Sequence, residues 1–121
     1  MKFFLLGVFC FLSIFINVPQ AAAQTITYNE HISPIIINNC APCHKENGYA
    51  PFSLLKYEDV AKRATFVGYV TRQRIMPPWK ANPHYRVFEG QRVLTDGQID
   101  TIQKWIAQGA KEGPKLKAKN K

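Results

Sequence analysis

Five consecutive residues, Cys40-Ala41-Pro42-Cys43-His44, constrain this chain more than any other feature. Two thiols two residues apart can add across the two vinyl groups on one edge of a porphyrin, and a histidine directly after the second thiol then falls beneath the iron. A chain that carries haem in this way must fold around it. Its control over the group then lies in axial ligands, hydrogen bonds and burial. The same cysteine spacing also serves dithiol redox sites and half of many zinc sites.

The start of the chain bears on these alternatives. Lys2 is followed by an apolar stretch from Phe3 to Val18 and then by Ala21-Ala22-Ala23, which is the pattern of a secretory signal peptide with small residues at its cleavage point. Cleavage after Ala23 makes Gln24 the first mature residue and predicts export to the periplasm. Left uncleaved, the stretch spans about 16 residues, short for a bilayer that needs about 20. Cys10 lies inside it, preceded by Phe9 rather than the small residue that lipid attachment wants. The mature chain therefore keeps two cysteines, Cys40 and Cys43. An oxidising compartment ordinarily turns a solitary pair into a disulfide, so haem attachment there needs a dedicated reducing and ligating system. A closed zinc site needs four ligands, and beyond Cys40, Cys43 and His44 only His31 and His84 are left, without the usual spacing.

A mature chain of about 98 residues predicts one domain, residues 24–114, with a core that gains from a staple or cofactor. The formal net charge is +8, but residues 24–110 hold ten basic and seven acidic side chains, so much of the excess lies in Lys111 to Lys121. Residues 115–121 read as a basic, disordered, solubilising tail. That tail could also steer the chain toward an acidic redox partner or an anionic membrane surface. Export makes nucleic acid an improbable target.

Periodicity predicts three helices and no strand. The first runs up to Asn39, with Ser33 and Pro34 in its opening turn and Ile32, Ile35 and Ile36 on one face. The second spans Tyr57 to Gln73, where Tyr57, Val60, Ala61, Ala64, Val67 and Val70 recur at helical spacing. Glu58 and Asp59 at its start and Arg72 and Arg74 at its end suit the helix dipole. The two arginines read as a solvated helix end or as contacts to a haem propionate. The third helix carries a capping box at Thr95 and Gln98, a stripe of Ile99, Ile102 and Ile106 with Trp105 on the buried side, and a stop at Gly109.

Between the second and third helices lies a long connection that contains Met76-Pro77-Pro78-Trp79, Pro83, Tyr85 and Phe88. Long ordered loops are commonly functional. With Met1 gone, Met76 is the one thioether left to ligate iron across from His44, and the two prolines after it hold the backbone extended. Met76 as core filler is the plainer reading. His84 is the competing ligand, and His31 reads as a surface residue. Trp79, Tyr85 and Phe88 read as a wall of the haem site or a docking surface.

Cys40 to His44, the downstream Met76 loop and a final helix bearing Trp105 resemble the monohaem class I cytochromes c. The wider pattern of Ala50-Pro51-Phe52-Ser53-Leu54-Leu55, Arg74-Ile75-Met76-Pro77-Pro78-Trp79-Lys80-Ala81, Leu94-Thr95-Asp96 and Ile102-Gln103-Lys104-Trp105-Ile106 looks like a bacterial periplasmic branch, whose modules occur alone or fused to redoxin-like or copper-monooxygenase-like domains. The resemblance covers about Ile26 to Pro114. It implies a small all-α fold of three main helices and long loops around one covalent haem c, with the first and last helices crossing at the haem edge. Thioethers would come from Cys40 and Cys43 and axial ligands from His44 and Met76. Pro51 would back the proximal histidine, and Trp79, Arg72 and Arg74 would contact the haem. One departure stands out: such cytochromes often place a glycine and an aromatic where this chain has Ile32 and Ile36. The implied function is one-electron transfer between a donor and an acceptor protein, without catalysis. The alternative is a haem enzyme or a gas- or peroxide-reactive protein whose distal position is open.

Overall fold

The chain enters helix earlier than Ser33 and Pro34 predict. A π-helical turn, Tyr28–Ile32, runs straight into α1, Ser33–Asn39. Pro34 has no amide hydrogen, so it lies at this junction where the hydrogen-bond register changes, and not at the free end of a helix. The first amides of the turn find acceptors far along the chain: Tyr28 N–H donates to the Lys111 carbonyl and Asn29 N–H to that of Glu112, both at 2.9 Å. The Asn29 side chain adds bonds to the carbonyls of Gly113 and Pro114. Both ends of the domain are thus joined, and backbone donors that a helix start leaves unpaired are satisfied.

The structure, a computed structural model, describes residues 24–79, 81–82 and 84–115. The segment expected to be a signal peptide, 1–23, and the tail beyond Lys115 lie outside the described residues, as do Lys80 and Pro83. Among the described residues all regular structure is helical, and no helix is long and apolar enough to cross a membrane.

The predicted second helix is two helices, α2 (Tyr57–Ala61) and α3 (Ala64–Arg72). The break has a local cause. A continuous helix would have the Arg63 amide donate to the Asp59 carbonyl; instead the Arg63 guanidinium donates to that oxygen at 3.1 Å, and the amide turns to Val60 at 3.0 Å. At its far end α3 closes with the Arg74 amide on the Thr71 carbonyl and the Ile75 amide on that of Val70. This is the Schellman arrangement, with Arg74 at φ +54° in the left-handed position that glycine usually takes.

The last helix, α4 (Asp96–Ala107), forms as its sequence predicts. Thr95 Oγ1 accepts from the Gln98 amide at 3.2 Å and Gln98 Oε1 accepts from the Thr95 amide at 2.9 Å, a complete capping box. A second Schellman motif ends it, with Gly109 at φ +88° and the Ala110 amide on the Trp105 carbonyl. α4 packs against α3 and against the π turn. Trp105 is 0% exposed, its Nε1 donates to the Lys111 carbonyl at 2.9 Å, and its ring lies 6.1 Å from that of Tyr28. Ile32, Ile36, Val60, Ile99 and Ile102 complete this core. Leu54 and Val67 of the same cluster also line a cavity beside the motif, and Cys40 and Phe52 pack against both.

Candidate functional site

The Cys40–His44 run leaves the end of α1 as a tight turn. The Cys40 and Ala41 amides both bond to the Ile36 carbonyl, and the Cys43 and His44 amides both return to the Cys40 carbonyl. The turn holds both cysteines and the histidine within one compact stretch of backbone. The following loop is tied back onto it, with the Ala50 amide on the Cys43 carbonyl at 3.1 Å and the Leu54 amide on the His44 carbonyl at 3.0 Å. This closure needs a glycine. A Cβ on Gly48 would stand 2.2 Å from the Cys43 carbonyl oxygen, closer than real side chains come.

The imidazole of His44 has a defined tautomer. Its Nδ1 lies 3.1 Å from the Phe52 carbonyl, which can only accept, so Nδ1 carries the proton and Nε2 keeps its lone pair. A ligating histidine is usually oriented in this way by its other nitrogen. Pro51 was the expected backing residue; the carbonyl that acts is that of its neighbour, and Pro51 itself lines the cavity. The Phe52 ring also leans on the imidazole, 4.7 Å between centroids.

Cys40, Cys43, His44, Pro51, Met76 and Trp79 all line one open cavity of about 650 Å³. Pockets for organic cofactors commonly measure about 300–1,000 Å³. Its other walls are largely apolar, from Phe52, Leu54, Phe66, Val67, Val70 and the two prolines after Met76. Tyr49, Phe66 and Met76 are 98%, 56% and 38% exposed, which is how large apolar side chains at a cavity come to be wetted. Met76 reaches this place because its amide bonds to the Val70 carbonyl at the end of α3.

Not every expected contact is there. Arg72 ends α3 exposed and does not line the cavity. Arg74 does not line it either: the left-handed turn at Arg74 leads its guanidinium to the Leu94 carbonyl and the Asp96 carboxylate at the start of α4. Among the described residues the cation that lines the cavity is Arg92, and no carboxylate side chain lines it. Sequence reasoning missed Arg92 because it sits in an irregular segment with no periodicity to orient it. His84 is exposed, away from the cavity lining, and bonds through its amide to Asn82. His31 serves the π turn, its Nδ1 accepting from the Thr27 amide. Tyr85 is 80% exposed, whereas Phe88 packs against Trp79 with the rings tilted by 54° and their centroids 6.2 Å apart.

Two polar features of the cavity call for partners. Trp79 Nε1 is buried and meets no acceptor among the described residues. The Cys40 thiol is pushed up to about 11 by burial first and by neighbouring Cys43 second. It is therefore protonated at neutral pH, whereas attacking thiols of dithiol redox sites are held low. Compared with protein-family models, curated proteins and solved structures, the chain matches none.

Proposed function

We propose that this chain is an exported, periplasmic one-electron carrier of the cytochrome c kind, holding one haem through thioether bonds from Cys40 and Cys43. The observation that carries the reading is that both motif thiols, an imidazole with its Nδ1 already committed and the Met76 side chain line a single apolar cavity of cofactor size. The donor set fits the group: two thiols for two vinyls, nitrogen and thioether sulfur for iron, and the buried Trp79 N–H with nearby Arg92 for carboxylates. Haem supplies the reversible one-electron couple; the polypeptide decides its potential and access.

Each residue then has a defined part. The Phe52 carbonyl holds the His44 ring with Nε2 free and adds to its basicity. Met76 contributes thioether sulfur, which favours ferrous iron and raises the potential. With His44 and Met76 both holding the iron, little rearrangement would accompany a change in charge and no position would be left for a substrate. A haem seated against these apolar walls would cover them from water, and an apolar surround disfavours the charged ferric state. Donor and acceptor proteins are needed on either side of such a carrier.

Covalency is the test. Produced in a host with haem-attachment machinery, the chain should retain its haem through acid extraction, whereas the Cys40→Ser, Cys43→Ser double variant should release it. Free cysteines and no haem in the wild-type product would sink the reading and revive the dithiol one.

A further inference from the structure

We propose that Arg63 is a positioning residue for the haem ligand His44, acting through the Phe52 ring and bringing a fixed positive charge close to the iron. The proposal rests on the haem-carrier reading. Its geometry is a column of three side chains: the guanidinium carbon of Arg63 stands 4.4 Å from the centroid of the Phe52 ring, and that ring stands 4.7 Å from the His44 imidazole. Phe52 also supplies the carbonyl that His44 Nδ1–H meets at 3.1 Å. One residue thus both orients the imidazole and receives the arginine.

The fold places Arg63 there at some local cost. Its guanidinium takes the Asp59 carbonyl from the backbone, which ends α2 and starts α3 at this point. Helix continuity is given up where the arginine meets the aromatic. The Asp59 carboxylate is engaged with Lys62 at 3.0 Å and lies beyond salt-bridge distance of Arg63, close enough to feel its charge and to offset part of it. A guanidinium suits the position better than an ammonium, because its plane stacks on an aromatic face.

The charge has a consequence for the couple. Ferric haem carries one more positive charge than ferrous, so a nearby cation favours the ferrous state. At about 9 Å and an effective dielectric of about 20, a unit charge shifts such an equilibrium by up to roughly twentyfold. The part-exposed position of Arg63 and the extra distance to the iron reduce this to an expected three- to tenfold.

The experiment uses the haem-loaded full chain and its R63M, R63K and F52L variants. Two quantities are read: the midpoint potential, at low and high salt, and the exchange rate of the His44 Nδ1 proton by NMR in the ferrous form. R63M should shift the ferric-to-ferrous ratio three- to tenfold toward ferric, tenfold being 59 mV for one electron. R63K should stay within twofold of wild type in potential. Nδ1–H exchange should quicken in R63M, R63K and F52L, since each loses the contact of Arg63 with the Phe52 ring or of that ring with the imidazole. A potential within twofold of wild type in R63M overturns the role of the charge, and unchanged exchange in R63K and F52L overturns the positioning role even if R63M fails to load. Absence of covalent haem from the wild-type chain defeats the carrier reading and this proposal with it, an outcome distinct from both.

Discussion

Replacing Gly48 by alanine sets two effects of opposite sign against each other. Alanine restricts the unfolded chain and by itself stabilises by about 0.4–1 kcal/mol where the native backbone accepts it. At Gly48, however, the new methyl would stand 2.2 Å from the Cys43 carbonyl oxygen. That oxygen belongs to backbone that also accepts from the Ala50 amide, so it cannot move aside as a flexible side chain would. Forcing a methyl into a packed site costs about 1–3 kcal/mol, and weakening the Cys43–Ala50 bond adds roughly 1 kcal/mol. The clash wins, with a net loss of about 1–3 kcal/mol, or roughly 5–15 °C in melting temperature for a domain of this size. Gly97 is the control. It lies in the first turn of α4 with its nearest neighbour 4.0 Å away, so Gly97→Ala should stabilise by about 0.5–1 kcal/mol. Thermal unfolding of both haem-loaded variants, followed by circular dichroism, decides the matter. A Gly48→Ala protein as stable as wild type would refute the closure of the loop onto the motif turn.

Other consequences follow from the same packing. In the haem-free chain, a Cys40 thiol raised to about 11 by burial gives stability that is present below pH 9 and lost as pH rises toward 11. The loss is about 2–3 kcal/mol, and Tyr28, also raised by burial, acts in the same direction. Urea titrations at pH 8 and pH 11 should show this fall, and it should shrink in Cys40→Ser. Thr95→Ala removes the capping bond to the Gln98 amide and should cost about 1 kcal/mol in the same titration at pH 7. Trp105→Ala empties the centre of the core and removes one of the two donors to the Lys111 carbonyl, the Tyr28 amide being the other; a loss of about 3–5 kcal/mol should leave little folded protein at 37 °C.

What could be read from residues alone divides along physical lines. α4 was legible because Thr95, Gln98, the isoleucine stripe and Gly109 are each local devices whose geometry follows from their own spacing. The shared cavity of Cys40, Cys43, His44 and Met76 was legible at the level of its members, since the chemistry of each narrows what it can do. The π turn at Tyr28 was hidden because its amides are satisfied by Lys111 and Glu112, some eighty residues away. The break at Arg63 was hidden too: a side chain replaces a backbone donor there, and the apolar periodicity runs through it unchanged. Arg74 carries a left-handed turn without glycine, so nothing in its surroundings announced that it would face α4. Nor does any spacing rule place Arg92 at the cavity or Phe52 on the histidine, because both depend on how irregular loops close.

We propose that Met76 and His44 together hold an iron in this cavity. The measurement that tests it most directly is the far-red absorption of the oxidised, haem-loaded protein, where a sulfur-to-iron band reports a bound thioether. The account predicts that band in wild type, its loss in Met76→Ala, and its persistence in His84→Ala. A wild-type spectrum without it, or one that survives in Met76→Ala, would contradict the account and leave the iron with another ligand or with an open position.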